Sequence, residues 1–154
     1  MDIVFADNGK RFNYRVAAVC IENGRVLLHR GKGDSFWCLP GGRVQMLENS
    51  ETALKRELRE ELEVAANIKR LLWVVEKFFT YDNHKFHEIC FYYETSLEDC
   101  SIPKTGSFIR EDGGREFEFQ WVPIEELHLF HTQPAFLKTK LKHLPECVEH
   151  IVTT

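Results

Sequence analysis

The sequence lacks the marks of a secreted, disulfide-bonded or membrane-bound protein. Its five cysteines are odd in number, widely spaced and without a CxxC pair, so their pattern indicates no disulfide framework. The N-terminus has no basic start followed by an apolar core, and no apolar run approaches the length that spans a membrane. We therefore expect a cytoplasmic protein without a membrane partner. The cysteines are Cys20, Cys38, Cys90, Cys100 and Cys147.

The sequence also has little excess charge of either sign. Its 20 lysines and arginines and its 24 acidic residues give a net charge of −4, and no basic stripe runs along the chain. This balance disfavours a nucleic-acid partner, so any phosphate would have to be bound by local contacts. A chain of 154 residues with 44% hydrophobic content can enclose one well-packed core. We expect a single domain spanning residues 1–154.

The most informative stretch runs from Gly41 to Val64 and includes a predicted helix. Asn49 or Ser50 can cap this helix, and strong helix formers continue to residue 62. One face of the helix collects leucines, and the flank beside it collects carboxylates. The leucines are Leu54, Leu58 and Leu62, and the carboxylates are Glu57, Glu60 and Glu61. The pattern predicts a helix over residues 51–62 that packs through its leucines.

Two interpretations of the carboxylates are open. Most charged clusters on helices are solvated faces, and an i,i+4 pair such as Arg56 with Glu60 needs no function. Glu57 and Glu61 differ, because they are like charges four residues apart that flank the leucine face. Partial burial would increase the cost of their repulsion unless a cation offsets it. Hard divalent cations such as Mg²⁺ prefer carboxylate oxygens and substrate phosphates, so metal binding is the second interpretation.

The charged positions of this stretch resemble the Nudix box. In that box a glycine is followed, after five residues, by glutamate, and after seven more by Arg-Glu-apolar, one residue, Glu-Glu, one residue and Gly-apolar. The matching positions are Gly42, Glu48, Arg56-Glu57-Leu58, Glu60-Glu61 and Val64, and the lead-in Leu39-Pro40-Gly41-Gly42 is also similar. Glu63 departs from the pattern, because the family has glycine there. A non-glycine residue at this point costs about 1 kcal/mol or shifts the helix end, for which Asn67 is an alternative left-handed cap.

The resemblance implies a fold, a reaction and a set of site residues. Nudix proteins are α/β/α sandwiches with a mixed β-sheet. Nudix enzymes hydrolyse a nucleoside diphosphate linked to another group through metal-activated water, with Mg²⁺ or Mn²⁺ as cofactor. The implied metal ligands are Glu57, Glu60 and Glu61, and the Gly41 carbonyl is a further candidate. Arg56 is expected to orient a glutamate such as Glu57 or Glu48 by charge-assisted hydrogen bonds.

A strictly alternating segment near residue 120 holds two further catalytic candidates. One face carries Phe117, Phe119 and Trp121, and the other carries Glu116, Glu118 and Gln120. A half-buried strand with a solvated face explains this pattern without any function. In several Nudix enzymes a glutamate shortly before a strand tryptophan reaches the metals or acts as base, which implies Glu116 or Glu118 here. The helix residue Glu57 is the other candidate base.

The remaining elements follow from turn residues and apolar periodicity. Asn8-Gly9 indicates a small hairpin within residues 1–13, Asn23-Gly24 joins two predicted strands, and Asp82-Asn83 joins two more. The four strands span residues 14–21, 25–30, 68–80 and 85–95. A surface loop is predicted over residues 96–114, a short helix from Pro123, and a second helix over residues 134–144. This order predicts an α+β domain with a mixed sheet and helices on its faces.

Four residues before the Pro-Gly-Gly turn are candidate substrate contacts. Arg30 and Lys32 flank a glycine-containing segment and can bind phosphate, although such segments are usually only connectors. Phe36 and Trp37 can stack on a base, or pack in the core or at the rim of a site. The expected ligand is a small nucleotide or nucleotide-linked diphosphate, whose identity the sequence leaves open. A non-catalytic nucleotide-binding module is the alternative to an enzyme, and a homodimer is an alternative to a monomer.

Overall fold

Two β-sheets lie at the centre of the structure, a computed structural model that describes residues 1–98 and 101–154. The strands are β1 (Val4–Asp7), β2 (Lys10–Val19), β3 (Ile21–Glu22), β4 (Arg25–Gly31), β5 (Gly41–Arg43), β6 (Ala66–Tyr81), β7 (His84–Leu97), β8 (Ser107–Asp112), β9 (Arg115–Pro123) and β10 (Glu149–Thr153). The larger sheet has the order β1-β2-β7-β6-β10, with β5 also paired to β2, and the smaller has the order β3-β4-β9-β8. Because β2–β7 and β6–β10 are parallel and the other pairs are antiparallel, the predicted mixed sheet is confirmed.

Helices cover both faces of the sheets. They are α1 (Ser50–Leu62), a 3₁₀ helix (Ile124–Leu129) and α2 (Leu137–Lys140). The leucines of α1 pack on one side with Val16, Leu27 and Phe119. Leu137 of α2 and Leu141 directly after it pack on the other side with Ala17, Leu28 and Trp73. This arrangement is the α/β/α sandwich that the sequence predicts, and none of the described helices is long and apolar enough to cross a membrane.

The strongest turn signals of the sequence give tight hairpins. Asn23 and Gly24 both have positive φ, 50° and 73°, which is the conformation that closes a two-residue turn between right-twisted strands. Asp82 and Asn83 do the same between β6 and β7, with φ of 48° and 61°. The N-terminal hairpin turns at Asn8-Gly9 between β1 and β2. Local turn chemistry therefore places the strand ends that frame the sheets.

Part of the segment predicted as a surface loop is a strand. Residues 107–112 form β8, which pairs antiparallel with β9 through a turn at Gly113-Gly114, where both glycines have positive φ. Phe108 alternates inward and stacks on Phe119 with ring centroids 5.4 Å apart. The loop predicted over residues 96–114 is therefore wrong at β8. The alternation of this short strand is hard to recognise because charged residues surround its apolar side chains. Asp99 and Cys100, which also belong to that segment, lie outside the described residues.

The C-terminal region also differs from the sequence-based prediction. The helix predicted over residues 134–144 is reduced to the single turn Leu137–Lys140, because several flanking backbone hydrogen bonds join residues three apart. Its apolar face is nevertheless used, since Leu137 and Leu141 are buried. Strand β10 was not predicted and pairs parallel with β6 at the sheet edge.

The cysteines of the described residues are free thiols. Cys20 and Cys90 are buried, as expected for small apolar side chains, and Cys147 is exposed. Burial raises the pKa of the Cys20 thiol to about 12, so this side chain stays neutral.

The ends of α1 agree with the expected signals. Asn49 caps the N-terminus, where its side chain accepts a hydrogen bond of 2.9 Å from the Thr52 amide. Glu63 caps the C-terminus in the left-handed conformation, with φ 57° and ψ 31°, and its amide donates to the Arg59 carbonyl. The alternative cap, Asn67, lies within β6 instead. The helix therefore ends where a glycine would end it, in a conformation that glutamate adopts at a cost.

We expect Glu63→Gly to raise the free energy of unfolding by about 0.5–1 kcal/mol. Glycine removes the left-handed strain at this position, which outweighs the added freedom of the unfolded chain. The measurement is urea unfolding, with Glu63→Ala as the matched control, because alanine loses the same side-chain charge and keeps the strain. A Glu63→Gly variant no more stable than Glu63→Ala would contradict the strained cap.

Candidate catalytic carboxylates of helix α1

Helix α1 holds Glu57, Glu60 and Glu61 at different depths below the surface. Its leucines are fully buried, which fixes the rotation of the helix on the sheets. On the adjoining flank the Glu61 side chain is 6% exposed, that of Glu57 13% and that of Glu60 46%. The carboxylates therefore run from the protein interior to the solvent along one side of the helix.

Gly42 allows the closest approach between α1 and strand β5. A Cβ atom at Gly42 would lie 2.1 Å from the Glu57 carboxyl carbon and 2.2 Å from its Oε2 atom. A side chain at position 42 would displace the flexible end of Glu57, so it is the glycine that allows the carboxylate to lie here. Across the sheet Gly42 pairs with Val16 of β2, which packs against α1. Strand β5 thus holds the Glu57 carboxylate against the edge of the larger sheet.

Arg56 connects the helix to the preceding loop and strand. Its Nη2 donates to Glu48 Oε1 at 2.6 Å and to the Arg43 carbonyl at 3.0 Å, and its Nη1 donates to Glu57 Oε1 at 2.8 Å. A longer pair of contacts at 3.4 Å reaches Glu60. The hydrogen bond from Arg56 holds the pKa of the Glu48 carboxyl below its usual value. The structure therefore brings Arg56 to both glutamates that the sequence analysis names as partners.

Glu61 and His29 form a buried polar pair that makes no hydrogen bond. His29 Nδ1 and Glu61 Oε2 lie 3.8 Å apart, too far to bond, and neither atom has a partner among the described residues. Burial lowers the pKa of His29 to about 3, so the imidazole is neutral and cannot serve as a counter-ion. Burial, together with the charge of Glu57, raises the pKa of Glu61 well above its usual value. An ionised Glu61 therefore calls for a cation that the surrounding side chains do not supply.

The donor atoms at this place fit a hard divalent cation. Glu61 Oε2 is buried without a partner, and the Glu57 contact with Arg56 uses only Oε1. Gly41 lies between the hydrogen-bonded positions of the β2–β5 ladder, so its carbonyl points away from β2. Within the described residues no three carboxylate, histidine or cysteine side chains are grouped as a complete metal site. Arg56 instead holds Glu48, Glu57 and Glu60 in contact with itself.

The strand glutamates lie apart from the helix carboxylates. Arg30 donates to Glu118 Oε1 at 2.9 Å, and Lys32 Nζ lies 3.5 Å from Glu116 Oε2. Phe117, between them, stacks on His29 with ring centroids 5.3 Å apart. Because side chains alternate along a strand, Glu116 and Glu118 face away from His29, the residue beside Glu61. The structure therefore brings the strand glutamates to Arg30 and Lys32, on the opposite face from Glu61.

The four predicted substrate residues form two groups, the basic pair Arg30 and Lys32 and the aromatic pair Phe36 and Trp37. Arg30 and Lys32 share a cleft of about 450 Å³ with Glu116 and Glu118. Trp37 is 6% exposed and carries the Arg30 guanidinium 4.5 Å from its ring centre, so it packs in the core and supports that arginine. Phe36 is half-buried and meets Tyr81 edge-on at 6.1 Å.

The hairpin between β8 and β9 brings further charges that the sequence analysis missed. Strand β8 packs against α1, and the charge of Asp112 at its end contributes to the raised pKa of Glu61. Arg115 donates to Asp34 at 2.9 Å and lies over the Phe117 ring. Asp112 was overlooked because it falls in the loop predicted over residues 96–114, and Arg115 follows directly after that segment. The alternation before Gly113-Gly114 is the signal that could have located them.

Comparison with known proteins adds a family and a set of related folds. A family model described as NUDIX domain matches residues 11–144. An RNA pyrophosphohydrolase of Haemophilus ducreyi is 38% identical over 63 residues, which cover 41% of this chain and 32% of that protein. The chain therefore spans about a third of the length of the curated relatives it matches.

Solved structures share the fold at low sequence identity. A UDP-X diphosphatase has a TM-score of 0.64 and 20% identity, over 90% of this chain and 66% of that one. A MutT protein from Methanosarcina mazei Go1 has a TM-score of 0.60 and 23% identity, over 85% of this chain and 91% of that one. Both show that the mixed sheets with flanking helices are shared with this chain.

We expect Glu61→Gln to stabilise the metal-free protein increasingly as pH rises from 5 to 8. The raised pKa of folded Glu61 means that the folded state keeps a proton which the unfolded state loses above about 4.3. Wild-type stability therefore falls between the unfolded and folded pKa values, and the neutral amide avoids this loss. The measurement is urea unfolding at each pH with EDTA present.

Glu51→Gln is the matched control, since Glu51 is an exposed carboxylate on the same helix. His29 also titrates on unfolding, but its contribution is common to all three proteins and cancels in the differences. A Glu61→Gln difference that stays constant from pH 5 to pH 8 would show that Glu61 is ionised in the folded protein without a cation.

Proposed function

Because the chain belongs to the Nudix family, we propose that it is a hydrolase that cleaves the diphosphate linkage of a nucleoside diphosphate joined to another group. The observation that carries this proposal is the buried, unpartnered oxygen of Glu61 beside Glu57 on α1. Nudix proteins act on small-molecule nucleotides, and the helix here retains every charged position of the box. The expected reaction is attack of water on one phosphorus of the diphosphate.

We propose Mg²⁺ or Mn²⁺ as the cofactor, because Nudix hydrolases generally use divalent metals and the available donors are oxygens. Glu57, Glu60 and Glu61 would hold it, with the Gly41 carbonyl as a further ligand. When bound, such an ion offsets phosphate charge and lowers the pKa of a coordinated water. The exposed Glu60 is free to turn inward, since its contacts with Arg56 are long.

Glu57 is the proposed general base. Burial raises the pKa of its carboxyl despite the opposing hydrogen bond from Arg56, and a raised pKa favours proton acceptance near neutral pH. The Arg56 hydrogen bond to Oε1 fixes the carboxylate and leaves Oε2 directed toward β5. Glu116 and Glu118 are less suited, because each already faces a cation on the other side of β9. Arg56 acts here as a positioning residue.

The cleft beside β9 is the proposed place for the remainder of the substrate. Arg30 and Lys32 supply positive charge there, and Phe36 borders the same segment as an aromatic surface. Trp37 contributes indirectly, by supporting the Arg30 guanidinium from the core.

A nucleotide-binding module without hydrolysis is the second candidate function. It is favoured by one observation, that Arg56 engages two of the three carboxylates that would hold a metal, Glu57 and Glu60. An assay of hydrolysis separates the two candidates, whereas a binding assay does not.

We expect hydrolysis of a diphosphate linkage in at least one member of a substrate panel with Mg²⁺, detected as the separated phosphorylated products, and loss of that activity with EDTA. The panel comprises nucleoside triphosphates, ADP-ribose, a nucleotide sugar, a dinucleoside polyphosphate and, in view of the curated relatives, an RNA with a 5′ triphosphate. Glu60→Gln should remain folded and lose about 100-fold or more in rate, because a ligand carboxylate is gone. Glu51→Gln should retain wild-type turnover. Wild-type turnover by Glu60→Gln would refute the metal assignment.

The choice of base predicts a second difference. Glu57→Gln should lower kcat by about 10²–10⁴-fold, the usual range for a lost general base. Glu116→Gln and Glu118→Gln should change kcat by less than about tenfold, because their carboxylates face the Arg30 cleft. The measurement is kcat on the best panel substrate, with circular dichroism to check folding. A larger loss in either strand variant than in Glu57→Gln would move the base to β9.

A further inference from the structure

A charged cluster interrupts the apolar face of the larger sheet opposite α1. Its members are Asn13 and Arg15 on β2, Lys77 on β6 and Glu88 on β7. Glu88 is the cross-strand neighbour of both Asn13 and Lys77, so these three residues form one row across three adjacent strands. Arg15 lies two residues further along β2, opposite Cys90. None of these residues belongs to the Nudix box or to the Arg30 cleft.

Lys77 and Glu88 form a closed, buried ion pair. Their charged atoms lie 2.6 Å apart, with 16% and 4% of the side chains exposed. Asn13 donates to the other Glu88 oxygen at 3.4 Å, and Lys77 donates to the Tyr92 hydroxyl at 3.3 Å. Burial opposes ionisation of Glu88, but the charges of Lys77 and Arg15 keep its pKa below the usual value. The carboxylate is thus ionised, and its charge is matched by Lys77.

Arg15 makes only a long ion-pair contact with Glu88 and has no hydrogen-bonded anion among the described residues. Its Nε atom is 3.9 Å from Glu88 Oε2, which is beyond hydrogen-bond distance, and within residues 1–98 and 101–154 its guanidinium donates no hydrogen bond. Two cations therefore share one carboxylate, and one positive charge remains. The Arg15 side chain is 32% exposed, so its donors are accessible from solvent. A guanidinium with five unused donors is suited to bind phosphate oxygens.

Arg15 also lies within electrostatic reach of the α1 carboxylates. Its positive charge lowers the pKa of His29 and opposes the upward shifts of Glu57 and Glu61. On β2 it adjoins Val16, the partner of Gly42, and the neighbouring edge strand β5 is only three residues long. Arg15 pairs with Arg43, the neighbour of Gly42 on β5, so its backbone lies at the sheet edge where Gly42 meets Glu57, although its side chain leaves the sheet from the face opposite α1. We expect a phosphate chain that starts at the carboxylates to pass around this edge and reach the Arg15 guanidinium.

We propose that Arg15 binds a phosphate oxygen of the substrate, and that the Lys77–Glu88 ion pair with Asn13 holds this arginine in position. The inference rests on the proposed function, because it assigns one more binding residue to that site. Anion binding by Arg15 can be tested separately from hydrolysis, since its guanidinium requires no metal to attract phosphate.

The first test measures binding of inorganic pyrophosphate by titration calorimetry in the presence of EDTA. We expect Arg15→Gln to bind about tenfold more weakly than wild type, because a charge-assisted contact is lost, and Arg15→Lys to fall between them. The matched control is Arg59→Gln, which removes the same charge from an exposed position on α1. Thermal unfolding of each variant checks that the fold is retained. Equal binding by Arg15→Gln and wild type, or no binding by wild type, would overturn the proposal.

The second test uses kinetics on any panel substrate that is cleaved. Arg15→Gln should raise KM about tenfold or more and change kcat by less than about threefold, as expected for contacts made equally in the ground and transition states. An unchanged KM overturns the proposal while the hydrolase assignment stands. The converse outcome is a protein that binds pyrophosphate through Arg15 and cleaves no panel substrate. That result supports the anion site and refutes the hydrolase assignment.

Discussion

The arrangement of this protein depends on the contacts of one guanidinium, that of Arg56. It joins the loop before α1 through Glu48, the strand β5 through the Arg43 carbonyl, and the helix itself through Glu57. These three segments are a loop, a strand and a helix, and they must meet for the helix carboxylates to face the sheet edge. Because every donor in the contact is charge-assisted, the geometry is more strongly fixed than leucine packing alone would fix it.

Burial then gives chemically equivalent side chains different properties. Arg56 holds the pKa of Glu48 down, burial raises the pKa of Glu57, and deeper burial with the charge of Glu57 raises the pKa of Glu61 further. On the opposite side of β2, Arg15 carries positive charge that Glu88 does not match. The helix carboxylates, of which Glu61 lacks a counter-ion among the described residues, and Arg15, which lacks a hydrogen-bonded anion there, thus lie at the same edge of the larger sheet. The proposed ligand, a metal-bound diphosphate, would satisfy both requirements together.

Sequence reasoning succeeded where the deciding interactions are local. The α1 caps, the leucine face and the turns at Asn23-Gly24 and Asp82-Asn83 depend on neighbouring residues, and each is found as predicted. The α/β/α fold followed from the Nudix resemblance. Strand β10 could not be derived in this way, since its pairing with β6 joins residues about 76 positions apart, a distance seen for Glu149 and Trp73. The orientation of Glu116 also depends on residues distant in sequence. The alternating pattern shows that the strand has two faces, and only the folded sheet shows which face lies against His29.

Gly42 has a consequence for the carboxylate that it faces. The space of its absent side chain is filled by the Glu57 carboxyl group, which therefore lies against the backbone of β5. A larger residue at position 42 would act through this carboxyl group, because the flexible end of Glu57 would have to turn away from the strand. Such a turn would disturb the hydrogen bond from Arg56 to Glu57 Oε1. One missing Cβ atom on a strand thus decides where a side chain of the neighbouring helix can point.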